Sequence, residues 1–414
     1  MNSRLKLDAD KITDAAIKKV MPKEAVKRAL GEIKLSENVY IVAVGKAAYS
    51  MAEAASEVIP YKKGIVITKY DHVKGELKDI ECFEAGHPIP DENGIKATEK
   101  VIELVENLSE KDTILFLLSG GGSALFEKPL VSLDELQDMT RQLLACGADI
   151  NEINIIRKRL SAVKGGKFAE KANPAKIYSI ILSDIVGDPL DMIASGPTVP
   201  DSGSSKMAID IIDKYGISTS DEVRKLLKIE TPKEISNATN IVIGSVRELC
   251  KAAAECCELL GYEVCFLSDQ VTGEAREVGK MLGAVAASHA GDGKKMAYIL
   301  GGETVVHLKG KGLGGRNQEI ACGAAQGISG LSNVAVFSVG SDGTDGPTDA
   351  AGGYVDGDTY EDLIGKGISF AEMFDDNDCY HLLEHCEGLI KTGPTGTNVN
   401  DFSVVLIDEN NTAT

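Results

Sequence analysis

The chain has 414 residues, of which 43% are hydrophobic and 26% are charged, and its formal net charge is −19. This length and apolar content suit two domains, and no apolar run approaches the roughly 18 residues of a membrane span. The acidic charge argues against a nucleic-acid partner, and residues 1–10 lack a signal-peptide pattern. We therefore expect a cytoplasmic protein with no membrane or nucleic-acid partner, in which any anion-binding site is made positive locally.

The first half of the chain alternates strands with helices. This alternation favours right-handed crossovers and a largely parallel sheet, and it predicts a Rossmann-like, doubly wound α/β domain over residues 1–235. A helix over residues 8–30 opens the domain. The predicted strands cover 38–44, 64–68, 113–118 and 177–183, and the later helices cover 48–56, 91–108, 133–146 and 150–172.

The second half predicts a mixed α/β domain over residues 236–414. After a polar connection it begins again with a strand at 240–244, a helix at 246–260, a strand at 263–267 and a helix at 273–290. The apolar runs 296–301 and 304–308 are separated by two residues, which predicts a hairpin. Further strands at 334–339 and 403–407 make mixed parallel and antiparallel pairing the expectation.

Three consecutive glycines, Gly120, Gly121 and Gly122, follow the predicted strand 113–118. Without Cβ atoms their backbone N–H groups can approach phosphate oxygens, and a helix starting there would add its positive end. The alternative is a tight turn that needs glycine for packing. Lys46 follows strand 38–44 at the same edge of the sheet and could reach that phosphate, although a solvated lysine is the alternative.

A cationic segment lies in residues 154–167 of this acidic chain. Arg157 and Lys164 recur at helical spacing and are candidates for phosphate contacts. A charged helix face that meets water is the alternative for both, and it is the preferred interpretation for Lys158 and Lys167.

Acidic residues follow the fourth predicted strand. Mg²⁺ takes one or two protein carboxylates and leaves its other positions to water and phosphates. Asp184, directly after the strand, is the best-placed ligand, and Asp188 is the second candidate. Asp in a tight turn is the competing explanation for Asp188 and Asp191.

The second half carries three glycine-rich polar loops, at residues 310–319, 340–349 and 392–401. Arg316 opens a predicted helix, so its planar fork could grip a carboxylate or a phosphate in bidentate fashion. Asp342 and Asp345 could hold a metal or accept a hydroxyl proton. Any one of these loops could be only an elaborate turn, but three in one domain favour a binding site.

Nine cysteines and six histidines show no zinc-binding spacing. There is no C-x-x-C pair, and His381 and His385 share a helical face without the Glu of a zinc-protease motif. We expect reduced, mostly buried thiols and no zinc site.

Taken together and in order, these motifs resemble the glycerate 2-kinases of the MOFRL type. The resemblance implies ATP-dependent phosphorylation of D-glycerate at its C2 hydroxyl, a divalent metal, and an active site in the cleft between two α/β domains. It also implies central roles for Lys46 and Arg316. The matching stretches are residues 44–48, 86–91, 119–124, 157–166, 183–198, 314–319, 341–352 and 395–401.

We assign roles on this basis. Lys46 neutralises charge on the transferred phosphoryl group, Arg316 binds either the substrate carboxylate or the γ-phosphate, and Asp342 or Asp345 deprotonates the C2 hydroxyl. Asp184 and Asp188 hold Mg²⁺. The residues assigned to ATP are Gly45, Ser119, Gly120, Gly121, Gly122, Ser123, Arg157, Lys164, Asn317, Thr397 and Asn398.

Two other functions stay open. The first is an NAD(P)-dependent hydroxypyruvate reductase, against which Gly45-Lys46 places a cation where a dinucleotide fingerprint has glycine. The second is a non-catalytic protein that binds a nucleotide or sugar phosphate. The sequence does not set the oligomeric state, and a homodimer stays open as well.

Overall fold

The structure is a computed structural model and describes residues 2–409. The elements up to residue 244 are α1 (Ser3–Lys19), α2 (Pro22–Glu32), β1 (Asn38–Val44), α3 (Ala48–Val58), β2 (Lys63–Lys69), β3 (Ile80–Ala85), α4 (Glu92–Val105), β4 (Asp112–Leu118), α5 (Gly122–Leu125), α6 (Leu133–Ala145), α7 (Ile150–Arg159), α8 (Lys167–Ala172), β5 (Lys176–Leu182), α9 (Ser205–Tyr215), α10 (Asp221–Leu227) and β6 (Ala238–Gly244).

The remaining elements carry the numbering to the C-terminal strand. They are α11 (Val246–Leu259), β7 (Glu263–Val271), α12 (Ala275–His289), β8 (Met296–Gly302), α13 (Arg316–Ala325), β9 (Val334–Gly340), β10 (Gly352–Asp356), α14 (Thr359–Gly365), α15 (Phe370–Asp375), α16 (Cys379–His385), β11 (Leu389–Ile390) and β12 (Asp401–Ile407). Within residues 2–409, no helix combines the length and the hydropathy that crossing a membrane requires.

The chain forms two compact units. The Rossmann-like unit is Pro22–Ile243, and the mixed-sheet unit combines Met1–Met21 with Gly244–Thr414. The units therefore differ from the predicted division into 1–235 and 236–414, chiefly because α1 belongs with the C-terminal half.

The reason for this placement lies in the apolar face of α1. Leu5 and Ile12 are fully buried in one cluster with Leu249 of α11. In addition, the Tyr262 hydroxyl donates a hydrogen bond to Asp8 at 3.0 Å. The predicted helix 8–30 is accordingly two helices, and the second begins at Pro22, a residue favoured in the first turn.

The Rossmann-like unit has a six-stranded sheet in the order β3-β2-β1-β4-β5-β6. The pairs β1–β2, β2–β3, β1–β4 and β4–β5 are all parallel. Val44 lies opposite Leu118, and Leu118 lies opposite Ile181, so β1, β4 and β5 end side by side. This register brings the loops that follow the three strands to one edge of the sheet.

Alternate residues of these strands enter two different cores. Val42 and Phe116 face a cluster that includes α4 and α8, whereas Ile41 and Leu115 face a cluster that includes α2 and α3. The sheet is thus covered on both faces, as parallel sheets generally are. The predicted doubly wound architecture is confirmed. Strand β3 was not predicted because it lies at an edge and its middle residues are only partly buried.

The mixed-sheet unit has a six-stranded sheet in the order β11-β10-β9-β12-β8-β7. Strands β7 and β8 are parallel, and β8, β12, β9, β10 and β11 pair antiparallel in that order. The prediction of a mixed sheet is confirmed. The predicted hairpin of 296–301 with 304–308 is wrong, since β7 and β12 occupy both sides of β8 and residues 304–308 form no strand.

Candidate active site

The loops after β1 and β4 are joined by backbone hydrogen bonds. The Lys46 N–H donates to the Gly120 carbonyl at 2.9 Å, and the Ala47 N–H donates to the Ser119 hydroxyl at 3.0 Å. Gly45 has a φ of 121°, and a Cβ there would lie 2.3 Å from Ser119 Oγ. Only glycine fits this close approach, so Gly45 and Ser119 fix the position of Lys46.

Three polar side chains lie close to the glycine loop, residues 120–122. A Cβ on Gly121 would lie 3.3 Å from Lys46 Cγ and 3.0 Å from His87 Cδ2, and a Cβ on Gly120 would lie 2.1 Å from Asp184 Oδ2. The structure thus brings together Lys46, the glycine loop and Asp184, the best-placed of the predicted metal ligands.

The charges around this loop suit an anion. No ion pair or hydrogen bond engages the Lys46 ammonium within residues 2–409. Burial, and secondarily the charge of Lys46, lowers the pKa of His87, so that its imidazole is neutral at neutral pH. The sequence did not predict His87 as a site residue, although it lies in the stretch 86–91, which is one of the motifs of the resemblance.

The helix that follows the glycines adds less to anion binding than the sequence predicted. Helix α5 is a single turn, Gly122–Leu125, and most of a macrodipole requires a longer run of aligned peptides. The anion would therefore depend on the loop's own N–H groups and on Lys46.

Gly120→Ala should lower kcat/KM for the expected kinase reaction by about 100-fold. The added methyl overlaps the Asp184 carboxylate, and moving a group of the site by about 1 Å can have an effect of this size. Steady-state kinetics would measure the change. Gly31→Ala is the matched control: no atom lies within 4 Å of its added Cβ, and an alanine in helix α2 should stabilise by about 0.5–1 kcal/mol. Equal activity of the two variants would contradict the predicted crowding.

Two of the predicted phosphate-binding cations serve the fold. The Arg157 guanidinium donates to the Ser123 carbonyl at 3.0 Å and so supports the backbone of the glycine loop. Lys164 is fully buried, forms an ion pair with Glu127 at 3.1 Å and donates to the Phe126 carbonyl at 2.8 Å. Burial lowers the pKa of Lys164 to about 8, although Glu127 opposes the shift. We therefore remove Lys164 from the phosphate site.

Lys164→Met should lower the free energy of unfolding by about 3–5 kcal/mol, because it leaves Glu127 as a buried charge without its partner. Urea unfolding followed by circular dichroism would measure the loss. The double variant Lys164→Met/Glu127→Leu should recover most of it, since no charge then stays buried. If the single variant were as stable as the wild type, the pair would have no structural role.

The acidic loop after β5 does not form a complete metal site. Within the described residues, no group of three His, Cys, Asp or Glu side chains could hold a metal ion. Asp188 occupies a tight turn, with a φ of 52° and its N–H donated to the Ile185 carbonyl at 3.1 Å. Asp184 is the carboxylate that the structure places against the glycine loop.

In the mixed-sheet unit, Arg316 begins helix α13 and lies between two carboxylates. Its Nε and Nη2 contact Asp401 at 2.5 and 3.1 Å, and its Nη1 contacts Glu303 at 2.8 Å. Of the five N–H donors of a guanidinium, this leaves one on each terminal nitrogen. Arg316 can therefore still bind an anion through two parallel hydrogen bonds.

Asp401 holds the Arg316 fork in place from a buried position. Burial raises the pKa of Asp401 to about 7, although Arg316 opposes the rise. Burial lowers the pKa of Arg316, but Asp401 and Glu303 together outweigh that effect and raise it, so the guanidinium stays charged. Sequence reasoning missed Asp401 and Glu303 as partners of Arg316. Asp401 lies inside the motif 395–401, and its position at the start of a buried strand was the available signal.

The two candidate bases have different surroundings. Asp345 is buried and accepts the N–H groups of Asn317 at 3.1 Å and Gln318 at 2.8 Å, so it caps helix α13. The Asn317 side chain points into the fold, where it accepts the Ser338 hydroxyl at 2.6 Å. Asp342 is only partly buried and accepts one N–H, from Thr344 at 3.0 Å. The geometry therefore favours Asp342 over Asp345 for contact with a ligand.

A cavity of about 770 Å³ lies in this unit, and its lining includes Arg316, Asp342 and Asn398. Thr397 is turned away, since its buried hydroxyl donates to the Val20 carbonyl at 3.0 Å. The predicted site residues Arg316, Asp342, Asp345 and Asn398 thus line one cavity, whereas Asn317 and Thr397 are used within the fold.

Comparisons with known proteins identify the family of this chain. The family model described as a domain of unknown function, DUF4147, matches residues 8–228, and the MOFRL family model matches residues 296–401. The D-glycerate 2-kinase of Thermotoga maritima is 49% identical over 97% of this chain and 98% of its own. The chain belongs to the MOFRL-type glycerate kinase family.

Two further relatives support this membership. The glycerate 2-kinase of Pyrococcus horikoshii is 40% identical over 91% of this chain and 89% of its own. The crystal structure of the Thermotoga maritima glycerate kinase superimposes with a TM-score of 0.95 at 48% identity, and covers 98% of this chain and all of that one. Both units therefore have the fold of this glycerate kinase family.

Proposed function

We propose that this protein is an ATP-dependent kinase that phosphorylates D-glycerate at C2 and yields 2-phosphoglycerate and ADP. The observation that carries the proposal is the Lys46 side chain, which lies on the three-glycine loop at the ends of β1 and β4 and whose ammonium has no partner within the described residues. Such a cation over bare backbone is suited to a phosphoryl group.

Binding of the triphosphate would use the glycine loop. Its N–H groups, held in place by Gly45, Ser119 and Arg157, would donate to phosphate oxygens, and Lys46 would neutralise the charge that spreads over the γ-phosphoryl group. A neutral His87 beside Gly121 would add a hydrogen-bond donor without a further charge.

The acceptor would use the cavity that contains Arg316. Its two remaining N–H donors match the two oxygens of a carboxylate. Asp342 would accept the proton of the C2 hydroxyl while that oxygen bonds to the γ-phosphorus and the bond to the bridging β–γ oxygen breaks. ADP leaves with the electron pair, and the proton passes to water.

A divalent cation such as Mg²⁺ would find one carboxylate beside the glycine loop. The Asp184 carboxylate lies so close to Gly120 that a Cβ would overlap it, and Mg²⁺ commonly takes one or two carboxylates together with phosphate oxygens. Asp184 would hold the ion, which supplies further neutralisation of phosphate charge when bound. We do not include Asp188 as a ligand of the ion, because the backbone hydrogen bond from Asp188 to Ile185 accounts for an Asp at this turn position.

The decisive test is identification of the product by phosphorus NMR after incubation with ATP, Mg²⁺ and D-glycerate. We expect 2-phosphoglycerate with an equal amount of ADP. Formation of 3-phosphoglycerate would overturn the regiochemistry. Binding of ATP without turnover would instead indicate a nucleotide-binding protein, and oxidation of NADH or NADPH by hydroxypyruvate would indicate the reductase.

A further inference from the structure

A strained turn lies beneath the glycine loop in the Rossmann-like unit. Ala194, Ser195 and Gly196 follow one another with φ values of 49°, 60° and 65°. The left-handed region is unfavourable for residues with a side chain, and strain of this kind often marks a functional site. We therefore asked which side chains the two adjacent non-glycine residues, Ala194 and Ser195, hold in place.

The turn places the Ser195 hydroxyl between two polar side chains. Ser195 is fully buried, and its hydroxyl donates to Asn154 Oδ1 at 3.0 Å. Its oxygen also lies 3.2 Å from the hydroxyl oxygen of Ser123, the residue directly after the three glycines. Asn154, Ser195 and Ser123 thus form a chain of hydrogen bonds that leads from the core to the loop.

The direction of this chain follows from counting protons. The Asn154 Nδ2 group lies 3.6 Å from the Met192 sulfur, which can only accept, so Oδ1 is the atom that faces Ser195. Ser195 has one proton, and giving it to Ser123 would leave the buried Asn154 Oδ1 without a donor. Ser195 therefore donates to Asn154, and Ser123 donates to Ser195. The proton of Ser123 is then used inside the protein.

We propose that Ser195 and Asn154 hold the Ser123 hydroxyl as an acceptor, so that Ser123 Oγ is a ligand of a divalent cation and not a donor to phosphate. This inference rests on the proposed kinase function and replaces the phosphate-donor role first assigned to Ser123. Lone pairs facing a phosphate would repel it, whereas a hydroxyl oxygen and the Asp184 carboxylate near the same loop are the oxygen donors that Mg²⁺ takes. Ser195 and Asn154 act as positioning residues.

The first test measures Mn²⁺ binding to the enzyme–ADP complex by electron paramagnetic resonance, together with ADP binding without metal. Ser195→Ala and Ser195→Gly should each weaken Mn²⁺ binding by about 10-fold or more, as loss of an outer partner of a metal ligand usually does. Metal-free ADP binding should not change. Glycine relieves the left-handed strain and so offsets part of the cost of leaving Asn154 Oδ1 without its donor. Ser195→Gly should therefore be more stable than Ser195→Ala.

Ala194→Gly is the matched control. It relieves the same strain in the neighbouring residue but leaves the hydroxyl chain intact, so Mn²⁺ affinity should equal that of the wild type. A loss equal to that of Ser195→Gly would mean that the turn acts through its backbone alone, and the hydroxyl chain would have no part in metal binding.

The second test changes the ligand atom itself. Ser123→Cys should weaken Mg²⁺ and Mn²⁺ binding but bind Cd²⁺ more tightly than the wild type does, since a thiolate prefers the softer ion. The proposal would be overturned if Ser123→Ala weakened metal-free ADP binding and left Mn²⁺ affinity intact, because Ser123 would then be a phosphate donor. Product formation by the wild-type enzyme is scored separately, so failure of the kinase assay is distinct from either result.

Discussion

Lys46→Ala should lower kcat by about 10²–10³-fold, the range found when a single group that stabilises transition-state charge is removed. The reason is electrostatic: the transferred phosphoryl group spreads negative charge over its oxygens. The Lys46 ammonium, which makes no ion pair or hydrogen bond within residues 2–409, lies on the loop that would hold this group. Stopped-flow or coupled ADP assays at saturating ATP and D-glycerate would measure the change.

Stability separates this effect from misfolding. Because the Lys46 ammonium has no partner within residues 2–409, the urea midpoint of Lys46→Ala should match that of the wild type. Lys63→Ala, at the exposed start of β2, is the control for losing a lysine elsewhere on the same sheet and should keep full activity. A near-normal kcat in folded Lys46→Ala would remove this residue from the mechanism.

The imidazole of His87 offers a second readout of the same variant. Lys46 is one of the causes that lower the pKa of His87, so its removal should raise that pKa toward the ordinary value. Titration of the His87 signals by NMR would show the rise. An unchanged pKa would mean that the Lys46 charge does not act at the glycine loop.

Arg316→Lys should reduce kcat/KM for D-glycerate by about 10²–10³-fold, comparable to the loss of an anion-stabilising donor. Lysine keeps the charge but cannot bind Asp401 in bidentate fashion and still present two parallel N–H groups to a ligand. Initial-rate kinetics with each substrate varied in turn would measure the loss.

The kinetics would also decide between the two roles open for Arg316. If it binds the carboxylate of glycerate, the variant should lose far less activity on D-glyceramide, which lacks that charge. If it clamps the γ-phosphate, the loss should be the same on both acceptors. Full activity of Arg316→Lys on D-glycerate would exclude both roles.

A double variant separates catalysis by Arg316 from its structural pairing. Arg316→Ala leaves the buried Asp401 carboxylate unpaired, which should lower the free energy of unfolding by about 3–5 kcal/mol. Arg316→Ala/Asp401→Asn removes that charge and should regain stability while activity stays low. Recovery of both properties together would show that Arg316 matters only for folding.

Local sequence patterns were sufficient to place a residue where its position follows directly from the strand that precedes it. The ends of β1, β4 and β5 were predicted from apolar runs, and parallel strands necessarily bring their carboxyl ends to one edge. Gly45, Lys46, the glycine loop and Asp184 follow those ends directly, so the sequence placed them in one neighbourhood. The structure agrees for all of them.

Local patterns failed where the partner is distant in sequence. Lys164 carries the same charge and lies beside glycines just as Lys46 does, yet Glu127 neutralises it inside the protein. Asp345 and Asp342 belong to one glycine-rich loop, but only Asp345 meets the N-terminus of α13. Helix α1 joined the C-terminal half because its apolar face matches that of α11.

The sequence by itself determined the two kinds of sheet, the family and the strand ends at which ligand-binding loops begin, because hydrophobic periodicity and glycine act through neighbouring residues. Only the tertiary structure decided which charged side chains are available to a ligand. Lys164, which forms a buried ion pair, and Lys46, which has no ion-pair partner within residues 2–409, both lie beside glycine in the sequence. The difference between them arises from partners that folding brings together. The same holds for Ser195, which is fully buried in a strained turn beneath the glycine loop: its partners Asn154 and Ser123 are distant from it in sequence.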